Sequence, residues 1–133
     1  RYGREAHVLW MVGGDRSAMI GDLDFRPAFR ALAEGLATGG PDRLISYHPR
    51  KNAPQSGEWF HSDAWLSFNS IQEWPEKQIA ALQADWERQP TKPTWLFEGR
   101  YEGYAQNSYT AADWGEWQMR QQAYQTVLSG AFG

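Results

Sequence analysis

His7-Val8-Leu9-Trp10-Met11-Val12 runs directly into Gly13-Gly14-Asp15. The apolar stretch is continuous rather than alternating, which is how a strand buried on both faces reads, as in a parallel sheet. Two glycines end it and an acid follows. Working outward, Leu44-Ile45-Ser46-Tyr47-His48 reads as a second strand closed by Pro49. Trp65-Leu66-Ser67-Phe68-Asn69-Ser70-Ile71 reads as a third, and Pro93-Thr94-Trp95-Leu96-Phe97 as a fourth that ends at Glu98-Gly99. Ala131 onward starts another. Between these lie helical patterns. Phe29, Leu32, Ala33, Leu36 and Ala37 recur at helical spacing behind Pro27, and Gly39-Gly40 stops them. Glu76 to Gln89 carries Ile79, Leu82 and Trp86 on one side. Thr110 with Asp113 resembles a capping pair that opens a helix running to about Leu128. Residues 16–24, 49–63 and 99–109 read as polar loops.

The order is therefore strand, helix, strand, loop, strand, helix, strand, helix, strand. Such alternation implies parallel strands joined by right-handed crossovers. Two α/β folds fit: a doubly wound open sheet and a (β/α)8 barrel. The open sheet usually carries a glycine-rich phosphate turn. Gly13-Gly14-Asp15 lacks the G-x-G-x-x-G spacing, and no helix pattern starts there. Polar residues cluster instead behind each strand: Asp15-Arg16, His48, Asn69, and Glu98-Gly99-Arg100-Tyr101. That is the barrel pattern, in which loops at the C-terminal ends of the strands hold the chemistry. A whole barrel needs about 250 residues, and this chain has 133. The expectation is one incomplete barrel domain over residues 1–133, missing strands at both ends. The first residues, Arg1-Tyr2-Gly3-Arg4-Glu5, show neither Met nor a signal-peptide pattern, and Ser129-Gly130-Ala131-Phe132-Gly133 heads into further structure. The chain reads as an internal piece, from which localisation and oligomeric state are not legible.

Composition narrows the partners. Thirteen Lys and Arg against sixteen Asp and Glu give a net charge of -3, without the basic stripe that nucleic acid or anionic lipid demands. No apolar run is long enough to span a membrane. With no Cys, thiolate nucleophiles and Cys-based zinc sites drop out. His7, His48 and His61 lack a metal-ligand spacing. No metal or cofactor is expected. Eight Trp in so short a chain exceed what its core can hide, since every buried indole N–H needs an acceptor. Some should line a cleft, where flat ring faces suit the C–H faces of sugars.

Two carboxylates sit at the ends of apolar runs: Asp15 after Val12-Gly13-Gly14, and Glu98 after Trp95-Leu96-Phe97. In a closed barrel, strands three apart face each other across the mouth, so these acids can converge from opposite walls. Glycoside hydrolysis needs such a pair, one carboxyl protonated to assist the leaving oxygen and the other ionised. Each candidate also has a structural reading. Asp15 can cap a turn, and Glu98 can pair with Arg100 or Arg16. His48 is either a hydrogen-bonded rim histidine or a donor to a sugar hydroxyl or to the carboxylate. Asn69 and Gln72 are either donors to sugar hydroxyls or strand-end caps. Trp59, beside Phe60 in a long loop, is either a stacking platform or a loop anchor. Trp10, Trp86 and Trp95 read as core, and Trp114 and Trp117 as packing on the last helix. Nothing resembles G-x-S-x-G.

Five blocks, in order, resemble the apiosidase-like glycoside hydrolases: residues 7–15; Leu44-Ile45-Ser46-Tyr47-His48-Pro49; Glu58-Trp59-Phe60-His61 with Trp65-Leu66-Ser67-Phe68-Asn69; Phe97-Glu98-Gly99-Arg100-Tyr101-Glu102; and residues 129–133. The resemblance spans nearly the whole chain. It implies a (β/α)8 barrel piece running from the fourth strand to the edge of the eighth. It implies a retaining carboxylate pair, with Asp15 as general acid/base and Glu98 as nucleophile, and cleavage at apiose in plant pectin side chains. Arg16, His48, Trp59, Asn69, Arg100 and Tyr101 become candidate substrate contacts. Related barrels place Asn-Glu where Gly14-Asp15 stands here, and Gln72 is followed by Glu73-Trp74-Pro75 rather than by small residues and a His. The isolated piece is expected to be inactive, and the complete protein to be exported. The competing expectation is a Trp-lined carbohydrate-binding or inactive barrel domain, which would need neither acid. A structural or collagen-interacting domain, suggested by a module that some members carry, is the third.

Overall fold

Trp10–Gly13 forms strand β1 and pairs in parallel with Ile45–His48, here β4, in the register Trp10 to Ile45 through Gly13 to His48. The computed structural model describes residues 5, 7–40, 43–103 and 114–133. Helix α1, Arg26–Ala37, makes the crossover between these strands. Pro27 stands at its start, where the missing N–H costs nothing. A second parallel pair joins β5, Asn69–Gln72, to β6, Thr94–Glu98, through helix α3, Pro75–Trp86. The pairs meet between β4 and β5. The Ser67 N–H donates to Ile45 O at 2.8 Å, and the Ser46 hydroxyl donates to Phe68 O at 2.7 Å. The Ser70 hydroxyl donates to Tyr47 O. Beyond β6 and helix α4, Glu116–Leu128, the chain returns so that Phe132 bridges Trp95 in parallel. The arc therefore reads β1, β4, β5, β6, Phe132. Asp15 follows β1 and Glu98 closes β6, three strands further along the arc.

The core under β1 and β4 is aromatic. Tyr47 is fully buried, with Phe29 and Phe60 packed edge-on at centroid distances of 5.2 and 5.0 Å. Val12, Ala18, Ala33, Ile45, Trp65 and Leu66 complete it.

Several expectations are corrected. Residues 16–24 are a tight hairpin, β2 Met19–Ile20 with β3 Leu23–Asp24, too short to show alternation. The loop over 49–63 contains helix α2, Ser56–Phe60, whose entry is tied where the Gln55 N–H donates to the Glu58 carboxylate at 2.7 Å. The third strand starts at Asn69 rather than Trp65. Trp65, Leu66 and Phe68 are buried, but their backbone is not in a strand. The expected apolar face of α1 is narrower than its spacing suggests: Ala33 is buried and Phe29 and Leu36 pack half-buried against the core, while Leu32 and Ala37 are exposed. In α3, Trp86 is exposed rather than core, and Gln78, Leu82 and Asp85 are the buried residues. Helix α4 begins at Glu116. The Thr110–Asp113 capping pair lies outside the described residues, and Trp117 is exposed rather than packed on the helix.

Candidate active site

The turn after β1 is built from three residues of positive φ: Gly13 at 92°, Gly14 at 119° and Asp15 at 52°. Gly13 is required twice over. A Cβ there would fall 2.8 Å from His48 O and 2.8 Å from the Tyr47 ring, in a conformation that side chains rarely adopt. Asp tolerates the left-handed region better than most residues, and the turn delivers the Asp15 carboxylate to the mouth of the arc.

There Asp15 and Glu98 line the same cleft, of about 770 Å³. Ser17, Lys51, Gln72, Trp74, Tyr101 and Trp114 also line it. Glu98 closes β6 opposite Gln72, the last residue of β5, across an irregularity in the ladder. His48, the last residue of β4, donates from Nε2 to Glu98 Oε2 at 2.9 Å, and its ring packs edge-on against Phe97 at 4.5 Å. Of the readings open for these residues, the geometry selects His48 as the partner of Glu98, in place of Arg100 or Arg16. That bond fixes one carboxylate oxygen and constrains the orientation of the other.

The remaining wall is aromatic and cationic. Trp74 and Trp114 meet edge to face at 5.3 Å. The Lys51 ammonium sits 3.4 Å from the centroid of the Trp74 ring. Burial lowers the proton affinity of Lys51, while the charges of Glu73, Asp15 and Glu98 oppose that shift. The Glu73 carboxylate is buried and accepts from the Asn52 N–H at 3.0 Å.

The structure brings Asp15, Glu98 and Tyr101 to one cleft and puts His48 on Glu98. The other candidates lie elsewhere. Trp59 is half-buried on α2, its indole N–H donating to Pro54 O at 3.1 Å and its ring covered by Arg26 at 5.1 Å, so that it is a loop anchor away from the cleft. Asn69 is fully buried at the start of β5, the end away from the cleft, with Oδ1 3.1 Å from the His61 ring. Arg100 lies behind the wall, stacked on Trp114 at 4.9 Å and paired with Glu76 at 3.0 Å. Arg16 is an exposed neighbour of Asp15, and its carbonyl accepts the Tyr47 hydroxyl. Gln72 takes the place expected for Asn69, because β5 begins at Asn69 and carries Gln72 at its C-terminal end. Lys51 and Trp74 were hidden in sequence as ordinary loop residues. Their one signal is position, each within three residues of a strand's C-terminal end. Among the described residues, no group of three or more His, Asp or Glu is placed to hold a metal ion.

Comparison with known proteins agrees with this architecture. A crystal structure of a glycoside hydrolase family 5 protein from Bacteroides vulgatus is 27% identical, with a TM-score of 0.84 over 99% of this chain and 32% of that one. A second structure, described as a glycoside hydrolase, is 24% identical with a TM-score of 0.84, over 99% of this chain and 33% of that one, and adds likeness of fold. The chain thus spans about a third of the length of the solved structures it matches. No curated protein matches it. The family model of the apiosidase-like catalytic domain matches residues 1–133, and the chain accordingly belongs to the apiosidase-like catalytic-domain family.

Proposed function

We propose that this chain carries the carboxylate pair of a retaining glycoside hydrolase that cleaves O-glycosidic bonds in plant-type polysaccharide, with apiose-bearing pectin side chains as the substrate class. In this reading β1, β4, β5 and β6 are strands four to seven of a (β/α)8 barrel, and Phe132 opens the eighth. The observation that carries it is the meeting of Asp15 and Glu98 in one cleft although 83 positions separate them in sequence. Family membership and the likeness to glycoside hydrolase structures support it.

Glu98, held through Oε2 by His48, attacks the anomeric carbon, while Asp15 protonates the departing oxygen. Asp15 then takes a proton from water, which releases the glycosyl group from Glu98 and restores both acids. Tyr101 and Gln72 contact the bound sugar. The complete protein acts where polysaccharide is available, outside the cytoplasm.

The test is turnover of aryl glycosides and pectin fragments by the complete protein that contains this chain. Asp15→Asn and Glu98→Gln should each lower kcat/KM by about 10³-fold or more. NMR of the first-formed product should show retained anomeric configuration. Unchanged turnover in both variants would sink the assignment of this pair, and no turnover by the unmutated protein would mean a carbohydrate-binding or inactive barrel, the reading to which Trp74 and Trp114 in the cleft would then belong.

A further inference from the structure

Gln72 ends β5, lines the cleft together with Asp15 and Glu98, and is only 7% exposed. Its backbone N–H is used, donating to Gln55 Oε1 at 2.7 Å. Its side chain is not: Oε1 is buried without a partner, and among the described residues the carboxamide makes no hydrogen bond. A buried amide left unpaired is destabilising, and nearly every one in a folded protein is satisfied. The neighbours that could have closed on it are engaged elsewhere. Gln55 Nε2 donates to Ala53 O at 2.6 Å, the Glu73 carboxylate accepts from the Asn52 N–H at 3.0 Å, and His48 Nε2 is on Glu98. The ladder fixes where this idle amide stands. Gln72 is the register partner of Glu98, and neighbouring strands lie about 4.8 Å apart. Because β5 runs between β4 and β6, the bond from His48 to Glu98 crosses the end of β5, where Gln72 sits.

We propose that Gln72 reads the hydroxyl on the carbon next to the anomeric carbon: Oε1 accepts a hydrogen bond from that hydroxyl, and the site thereby selects glycosyl groups that carry it. The inference rests on the hydrolase reading, in which Glu98 attacks the anomeric carbon. A group one strand away from the attacking oxygen meets the atoms bonded to that carbon. An unsatisfied oxygen needs a donor. In the substrate the ring oxygen and the glycosidic oxygen carry no hydrogen, so the hydroxyl on the adjacent carbon is the donor within reach. Positive charge grows at the anomeric carbon in the oxocarbenium-like transition state and makes this hydroxyl a stronger donor. The bond therefore tightens as the reaction proceeds and acts on kcat more than on KM. A substrate with the hydroxyl supplies the partner that the fold withholds, and an analogue without it leaves the amide orphaned.

The experiment compares an aryl apioside with its counterpart lacking that hydroxyl, on the complete protein that contains this chain and on its Gln72→Met variant. Methionine keeps the length of the side chain and removes the amide. The unmutated protein should favour the apioside. The ratio of the two kcat/KM values should fall by about 10²-fold in Gln72→Met, through kcat rather than KM. The urea midpoint of Gln72→Met should be at or above that of wild type, because no side-chain bond within the protein is lost. An unchanged ratio would overturn the inference. Equal losses on both glycosides with a lower urea midpoint would mark the amide as structural, and no loss on either would mark it as idle. Failure of the hydrolase reading is separately visible, as no turnover of either glycoside by the unmutated protein or as unchanged turnover in Asp15→Asn and Glu98→Gln, and it takes this inference with it.

Discussion

At Gly13 a single missing carbon lets the chain turn under the candidate site. Gly13→Ala would drive a Cβ against His48 O and the Tyr47 ring and force a side chain into positive φ. Urea titration should show a loss of about 1–3 kcal/mol, and the turn carrying Asp15 should shift with it. Tyr47 is the second such residue. Burial pushes its hydroxyl up to about 12 from an ordinary value of 10.0. The folded chain thus resists an ionisation that the unfolded chain undergoes. The associated stability is whole below the ordinary value and drains away as pH climbs from there toward the raised one. Tyr47→Phe should cost about 1 kcal/mol at neutral pH, for the lost bond to Arg16 O. Denaturant titrations at neutral and strongly alkaline pH should then show a flatter alkaline fall than in wild type. At this scale the sequence was informative about Asp15, Glu98 and Gly13, because a strand end followed by a turn is a local pattern. It was silent on Lys51 and Trp74, whose meeting depends on two loops folding toward each other.

Among the elements, α4 is a helix that buries a polar face. Its buried residues are Gln122 and Thr126, while Tyr124, Val127 and Leu128 are exposed. Gln122 is a hub. Its Oε1 accepts from the Arg100 N–H at 2.8 Å, and its amide donates to Gln78 Oε1 at 2.9 Å and to Glu73 O at 3.3 Å. Gln78 in turn donates to the Thr126 hydroxyl at 2.6 Å. A satisfied polar network between two helices leaves no apolar periodicity to read. Gln122→Leu would orphan partners on α3, on the β5–α3 turn and just past Glu98. Thermal or urea unfolding should report a loss of about 2–3 kcal/mol, and turnover should fall because the end of β6 loses its anchor. Apart from the β2–β3 hairpin and α2, helix and strand existence was legible, and boundaries slipped where apolar residues are buried without being in a strand, as at Trp65 to Phe68.

Across the whole molecule, the four parallel strands form an arc, and large apolar side chains remain uncovered on the hairpin and helices around it. Leu23 is 62% exposed, Trp86 63% and Leu128 83%. Residues 1–133 taken alone should therefore self-associate, which size-exclusion chromatography with light scattering would register. A monomer with one sharp unfolding transition would contradict this. The sequence by itself determined the alternation of strands and helices, the parallel α/β class and the placing of an acid behind β1 and another at the end of β6. Those follow from burial on both strand faces and from turn residues a few positions away. Only the tertiary structure decided which side chains share the cleft. It set His48 on Glu98, swung Gln72 rather than Asn69 to the mouth, seated Lys51 on Trp74 and kept Trp59 on its own loop. Such meetings depend on strand register, where one residue of slip reverses a side chain's direction, and on packing between segments far apart in the chain.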